Sequence, residues 1–220
     1  MRKKKNLEPR LAACAAWQAE APETHRGAWR ALFGAPAAAR LELEIGCGKG
    51  SFITETARQN PDVFYLAVER VPSVLLLALE KAKALGLPNL RLMDCDAGSL
   101  GAVFAPGEID RLYLNFSDPW PPKKQHKRRL TYYTFLRIYE GFLKPDAEIC
   151  FKTDNRRLFE DSLCYFSQSG WGLYDVTFDL HATDTPNVET EYERNFSAQG
   201  YPIYRCVARR NRPEPSAAEQ

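Results

Sequence analysis

The apolar run Leu41-Glu-Leu-Glu-Ile45 ends directly on Gly46, and from there to residue 168 short apolar runs alternate with helix-forming stretches. This alternation constrains the fold more than any other feature of the chain. Runs at 41–45, 63–69, 90–96, 109–116 and 147–153 read as buried strands, and helices are expected from about 51 and over 73–86, 131–143 and 155–168. Strands joined by helical crossovers need a parallel sheet covered on both faces, so the chain predicts an α/β fold. The last two β-type runs, 172–180 and 201–209, have no evident helical pattern between them. They predict an antiparallel edge joined by a long loop of functional weight.

A chain of 220 residues, 45% hydrophobic, can bury one sizeable core, and residues 39–210 are expected to form it. The Ala-, Arg- and Pro-rich segment 1–38 reads as a partly flexible arm with a short helix, and 211–220 as a disordered tail. The six cysteines are scattered without a C-x-x-C pair, which predicts a reducing, cytoplasmic setting. The opening basic residues precede an apolar stretch too short for an export signal, and no later run can span a bilayer, so neither export nor a membrane anchor is expected. His25, His126 and His181 have no metal-ligand spacing, and no metal is expected.

In open α/β sheets the ligand lies outside the carboxyl ends of the strands. Acids stand at four successive ends: Glu44 before the turn Gly46-Cys-Gly48-Lys-Gly50, then Glu69, Asp96 and Asp118. The glycines permit a tight turn into a helix and close approach of a ligand to the backbone. A dinucleotide fingerprint would need glycine at 51, where this chain has Ser51, and Lys49 lacks the spacing of a phosphate-binding loop. Glu69 suits the hydroxyls of a ribose, and Asp96 the amino group of an adenine. A pocket ringed by acids without a phosphate cradle suits a nucleoside carrying positive charge, and the sulfonium of S-adenosylmethionine meets that description. One such acid is ordinarily a solvated group and a lone G-x-G-x-G an ordinary turn. Four acid-bearing strand ends in succession carry the reading.

Net charge is only +2, from 30 basic against 28 acidic side chains, so attraction for a polyanion must come from local clustering. The segment Asn115–Leu130, "NFSDPWPPKKQHKRRL", supplies it, with five Lys or Arg in positions 123–129. Pro119, Pro121 and Pro122 stiffen the turn that presents Asp118. Lys123, Lys124, Lys127, Arg128 and Arg129 can neutralise phosphates, while Trp120, His126, Tyr132 and Tyr133 offer stacking faces. A solvated charge run opening a helix is the plainer alternative, but cations at a helix N-terminus oppose its dipole.

The strings "EIGCGKG", "NFSDPWPPKKQHKRRLT", "FKTDN" (151–155) and "TEYERNF" (190–196), in this order and spacing, resemble the bacterial tRNA (guanine-N7-)-methyltransferases. The resemblance runs from roughly His25 to Arg210. It implies a Rossmann-like class I methyltransferase fold with a mostly parallel seven-stranded sheet and an antiparallel C-terminal edge strand. It also implies S-adenosylmethionine as cofactor and tRNA as partner, with methyl transfer to N7 of a variable-loop guanine. By that similarity Glu44, Gly46, Gly48, Gly50, Glu69, Asp96 and Asp118 would contact the cofactor, with Asp118 the catalytic residue. Asp154 and Thr190, Glu191, Tyr192 and Glu193 would hold substrate, and Lys124, Gln125, His126, Lys127, Arg128 and Arg129 would touch RNA. The family's lysine usually stands directly after Trp-Pro; here Pro122 takes that position, and Lys123 is its expected substitute. A monomer or a homodimer is expected.

Guanine N7 has a free lone pair and no proton to lose, so its attack on a methyl sulfonium needs alignment and electrostatics rather than a general base. Guanine is set apart by N1–H and its amino group, a donor pair that a carboxylate such as Asp118, Asp154 or Glu193 could accept. Three other readings compete. They are a methyltransferase for an exocyclic base amine, an RNA-binding protein with a vestigial pocket, and the dehydrogenase that Ser51 already disfavours.

Overall fold

The computed structural model describes residues 6–210; the basic opening residues 1–5 and the tail 211–220 lie outside the described residues. Seven strands form one sheet in the order β3-β2-β1-β4-β5-β7-β6. They are β1 (Leu41–Ile45), β2 (Phe64–Val68), β3 (Leu90–Met93), β4 (Ile109–Asn115), β5 (Leu143–Thr153), β6 (Trp171–Thr177) and β7 (Tyr204–Arg210). The first five are parallel, and β7 runs antiparallel to both β5 and β6. The antiparallel pairing thus lies at the expected end of the sheet, with β7 one place in and β6 outermost.

The helices are α1 (Leu7–Ala12), α2 (Trp29–Leu32), α3 (Ser51–Gln59), α4 (Pro72–Ala84), α5 (Leu100–Val103), α6 (Tyr133–Glu140), α7 (Arg156–Gln168) and α8 (Glu191–Ser197). Parallel strands covered on both faces must bury both sides, and all five residues of β1 are buried, two glutamates included. Glu42 is satisfied there by Arg40 and by the Tyr113 hydroxyl, 2.6 and 2.7 Å away. The turn after β1 needs glycine for a packing reason as well as a conformational one. Gly50 has φ 77°, and a Cβ at that position would lie 2.7 Å from the Cβ of Ala78, so its absence lets α3 start against α4.

The segment before β1 packs on the domain. Trp29 is fully buried, its indole N–H donating to the Val103 carbonyl at 3.0 Å, and Arg30 pairs with Asp110 at 2.7 Å. Upstream, Ala19 N–H donates to Leu92 O at 2.8 Å, so this segment covers the free edge of β3.

Beyond shifts of a few residues at strand and helix ends, such as β3 stopping at Met93 and β7 starting at Tyr204, three places depart from the sequence pattern. The helix expected over 131–143 stops at Glu140 and β5 starts at Leu143, because Leu143 already pairs with Ile109 before the irregularity that precedes Arg111. Strand β6 ends at Thr177, where the chain turns into a short 3-10 helix at Leu180–Ala182. The connection from β6 to β7, expected to be a loop without helix, contains α8. Thr190 caps α8 through the Glu193 N–H while Glu193 reaches back to the Thr190 N–H. This T-x-x-E capping box was readable in the sequence, but α8 is too short and polar to show a 3.6-residue apolar period.

Candidate active site at the carboxyl ends of the strands

Two cavities open side by side at the carboxyl ends of the parallel strands and share Gly46 and Phe116 on their walls. The larger, of about 500 Å³, is lined by Glu69, Asp96, Asp118, Trp120, Lys127 and Arg128 among others. The smaller, of about 290 Å³, is lined by Glu44, Gly48, Lys49, Asn115, Glu191 and Tyr192 among others. The parallel strands bring the four acid-bearing ends together here, although 74 positions separate Glu44 from Asp118 (118 − 44).

Each acid is held differently. Glu69 accepts from Gly48 N–H at 3.2 Å and from Val71 N–H at 2.9 Å, which fixes its carboxylate across the turn with lone pairs left for a ligand. Asp96 accepts from Gly98 N–H at 2.8 Å, and its side chain is otherwise exposed to the cavity. Asp118 is exposed in a turn whose flanking residues Phe116 and Trp120 have φ of 52° and 40°, a left-handed conformation that non-glycine residues rarely adopt. Glu44 is only 2% exposed; Oε1 accepts from Asn115 at 2.9 Å, and Oε2 has no partner within the protein. Burial pushes its carboxyl up to about 7, against the opposing Asn115 hydrogen bond and the charge of Lys152. A buried carboxylate oxygen without a partner beside a cavity fits a cationic ligand. Gly46 and Gly48 line the cavities, whereas Gly50 is buried behind them against α4.

The substrate-side residues divide by burial. Lys123, Lys124, Lys127 and Arg128 are exposed on a 3-10 helix spanning Lys123–Arg128, with Gln125 and His126 half-buried. Arg128 stacks over the Trp120 ring at 3.8 Å. Arg129, placed by the resemblance among RNA contacts, is instead 1% exposed and bonded to Pro119 O, Asp161 and Tyr165, so its charge faces the protein interior. Glu193 shows the same departure. It is fully buried, with Lys152 at 2.8 Å, Asn187 at 2.6 Å and His181 at 3.2 Å, and it has no face for a base. Asp154 and Tyr192 meet at 3.4 Å, Tyr192 lies over Phe116 with ring centres 5.2 Å apart, and Glu191 pairs with Lys49 at 3.0 Å. Through these contacts α8 covers the smaller cavity.

Two residues that shape this site were not singled out in the sequence. Lys152, 5% exposed, lies behind Glu44 and anchors the α8 segment through Val188 O and Glu193; burial lowers its pKa, and Glu193 opposes that. Asn115 orients Glu44. A lysine inside the apolar run "ICFK" was the available signal for the first; nothing marked the second. Among the described residues no cluster of three or more His, Cys, Asp or Glu could hold a metal, and no helix is long and apolar enough to cross a membrane.

This sheet order with a ligand cleft at the strand ends is the architecture of class I S-adenosylmethionine-dependent methyltransferases. The solved methyltransferase from Aquifex aeolicus superposes with TM-score 0.55 at 14% identity, covering 77% of this chain and 81% of that one. The 16S rRNA methyltransferase KamB does so with TM-score 0.57 at 16% identity, covering 77% and 86%. A family model described as "Putative methyltransferase" matches residues 38–206. The tRNA (guanine-N(7)-)-methyltransferase of Geobacillus sp. (strain WCH70) is 50% identical over 207 residues, 94% of this chain and 93% of the relative. That of Streptococcus agalactiae serotype III (strain NEM316) is 48% identical over 210 residues, 95% and 99% of the two chains. The chain belongs to the tRNA (guanine-N7-)-methyltransferase family.

Proposed function

We propose that this enzyme transfers a methyl group from S-adenosylmethionine to N7 of a guanine in the variable loop of tRNA, and that it works in the cytoplasm. One observation carries the reading: the cavity that holds Glu69 and Asp96 also holds Asp118 and is walled on its outer side by Lys127 and Arg128. A nucleoside-binding pocket and a polyanion-binding face therefore meet at one carboxylate.

S-adenosylmethionine, when bound, supplies an electrophilic methyl on a sulfonium. Glu69 would accept from the ribose hydroxyls and Asp96 from the adenine amino group, both on the wall of the larger cavity, while Glu44, with its unpartnered buried oxygen, would lie beneath the sulfonium charge on the wall of the smaller one. Asp118 accepts from the N1–H and amino group of guanine, which selects that base and turns its N7 toward the donor. Asp154 and Tyr192 close the other side. The base becomes cationic as the methyl arrives, and the ring of carboxylates stabilises that charge where it develops. Lys123, Lys124 and Lys127 hold the tRNA backbone and displace the cations condensed on its phosphates. Glu193 and Arg129 have no direct part in this reading, because both are buried among protein partners.

Nucleoside analysis of tRNA after incubation with the pure protein and S-adenosylmethionine tests it. N7-methylguanosine is expected, with chemical cleavage at the modified base mapping it to the variable loop. A methyl group on an exocyclic amine, or donor binding without transfer, would sink the reading.

A further inference from the structure

We propose that Arg129 is a positioning residue for the turn that carries Asp118, and that it makes no contact with RNA. The inference rests on the reading of Asp118 as the guanine-facing carboxylate.

The turn is costly to hold. Phe116 and Trp120 both have positive φ, and conformations of this kind persist only where the surroundings over-determine them. Pro119, Pro121 and Pro122 carry no N–H, so the turn has few main-chain donors with which to fasten itself. On its upstream side, Phe116 N–H donates to Lys152 O at 2.9 Å. On its downstream side the His126 ring lies 3.3 Å from Pro121 O, and the shortest hydrogen bond comes from Arg129, whose Nε donates to Pro119 O, the carbonyl next to Asp118, at 2.7 Å.

The rest of the guanidinium ties this carbonyl to α7. Nη1 reaches Asp161 Oδ2 at 2.6 Å and the Tyr165 hydroxyl at 3.2 Å, and Nη2 lies 3.0 Å from His126 Nε2. Asp161 and Tyr165 stand one turn apart on α7, and Tyr165 packs edge-on against Tyr132 and Tyr133. The fork of Arg129 thus spans from the catalytic turn to the helix behind it, a geometry that a single ammonium cannot reproduce. With 1% exposure it offers no surface to a phosphate. Its neighbour Arg128 is exposed and reaches the same turn from outside, over Trp120. The basic block therefore does two jobs: its exposed members meet RNA, and its last member holds the carboxylate in place.

The test is Arg129→Lys in the full-length protein, with S-adenosylmethionine and a tRNA transcript. Single-turnover methylation is expected to fall about tenfold to a hundredfold, as displacement of a reacting group by about 1 Å would cause. Affinity for tRNA, and the slope of log Kd against log salt, should match the parent. The double substitution Lys124→Ala and Lys127→Ala should instead reduce that slope, by about one for each phosphate no longer neutralised. A slope reduced in Arg129→Lys as in the lysine variants, or a single-turnover rate equal to the parent's, would overturn the proposal. Should Arg129→Lys fail to fold, Asp161→Asn loosens the same fastening from its more exposed end, with a severalfold loss of rate expected at parental salt slope and a parental rate overturning it. Asp118→Asn run beside these separates the two ideas. A parental rate there removes the guanine-facing reading itself, whereas a dead Asp118→Asn beside a fully active Arg129→Lys refutes only the role of Arg129.

Discussion

Around Glu69 the cleft is held by main-chain donors close to the strand ends, while around Glu193 it is held by side-chain pairs between segments far apart in the chain. Glu69 takes its two N–H bonds from residues 21 and 2 positions away, and Asp96 takes its own from 2 positions away. On the other side, Lys152 meets Glu193 across 41 positions, Lys49 meets Glu191 across 142, and Arg129 meets Asp161 across 32. The two halves are therefore preorganised by different means. The proposed cofactor half follows from strand ends and their turns, and it forms wherever the sheet forms. The proposed substrate half depends on charges from distant segments finding one another, with Lys152–Glu193 buried and Lys49–Glu191 at the surface, so single substitutions at those pairs should disturb it selectively.

The largest effect is expected from Glu193→Gln. It leaves the Lys152 ammonium buried without its counter-charge, and breaking one partner of a buried pair costs about 3–5 kcal/mol. Denaturant unfolding should register that loss; a change within about 0.5 kcal/mol would erase the contrast between the two halves. Next comes Asp118→Asn, which keeps the shape but, on the proposed reading of Asp118, would set an amide donor against guanine's own donors. Its kcat is expected to fall by about 10²-fold or more with tRNA affinity little changed, and near-parental turnover would reduce the turn to scaffolding.

A smaller effect, confined to the other half, is expected from Glu69→Ala. Loss of a charged acceptor should weaken S-adenosylmethionine binding by about 1.5–3 kcal/mol in isothermal titration, and unchanged affinity would remove Glu69 from the site. The most subtle test concerns Glu44, whose carboxyl sits at about 7 in the folded protein against an ordinary value of 4.5. A raised acid binds more protons folded than unfolded, so its contribution destabilises progressively as pH rises from about 4.5 to about 7. Glu44→Gln should therefore gain stability relative to the parent between pH 5 and pH 8. A cation bound beside Glu44 should also release protons near pH 7, seen as a dependence of the binding enthalpy on buffer. Buffer-independent heats would place the positive charge of the donor elsewhere.

The strand–helix alternation, the parallel sheet and the four acids collected at its carboxyl edge were all legible along the chain, because burial on both faces and the switch-point rule leave little choice once the apolar runs are placed. The glycines of the β1 turn and the prolines around Asp118 were equally legible, since each acts on its own backbone. Only the folded arrangement settles which charges face solvent. Arg128 and Arg129 are adjacent in sequence, yet one stacks on Trp120 at the cavity mouth and the other is spent on Pro119 and Asp161 inside. Glu191 and Glu193 are two apart on α8, yet one pairs with Lys49 at the surface and the other is sealed against Lys152. A charge can be buried only where an opposite charge and hydrogen-bond partners arrive from another part of the fold, and spacing along the chain carries no record of that arrival.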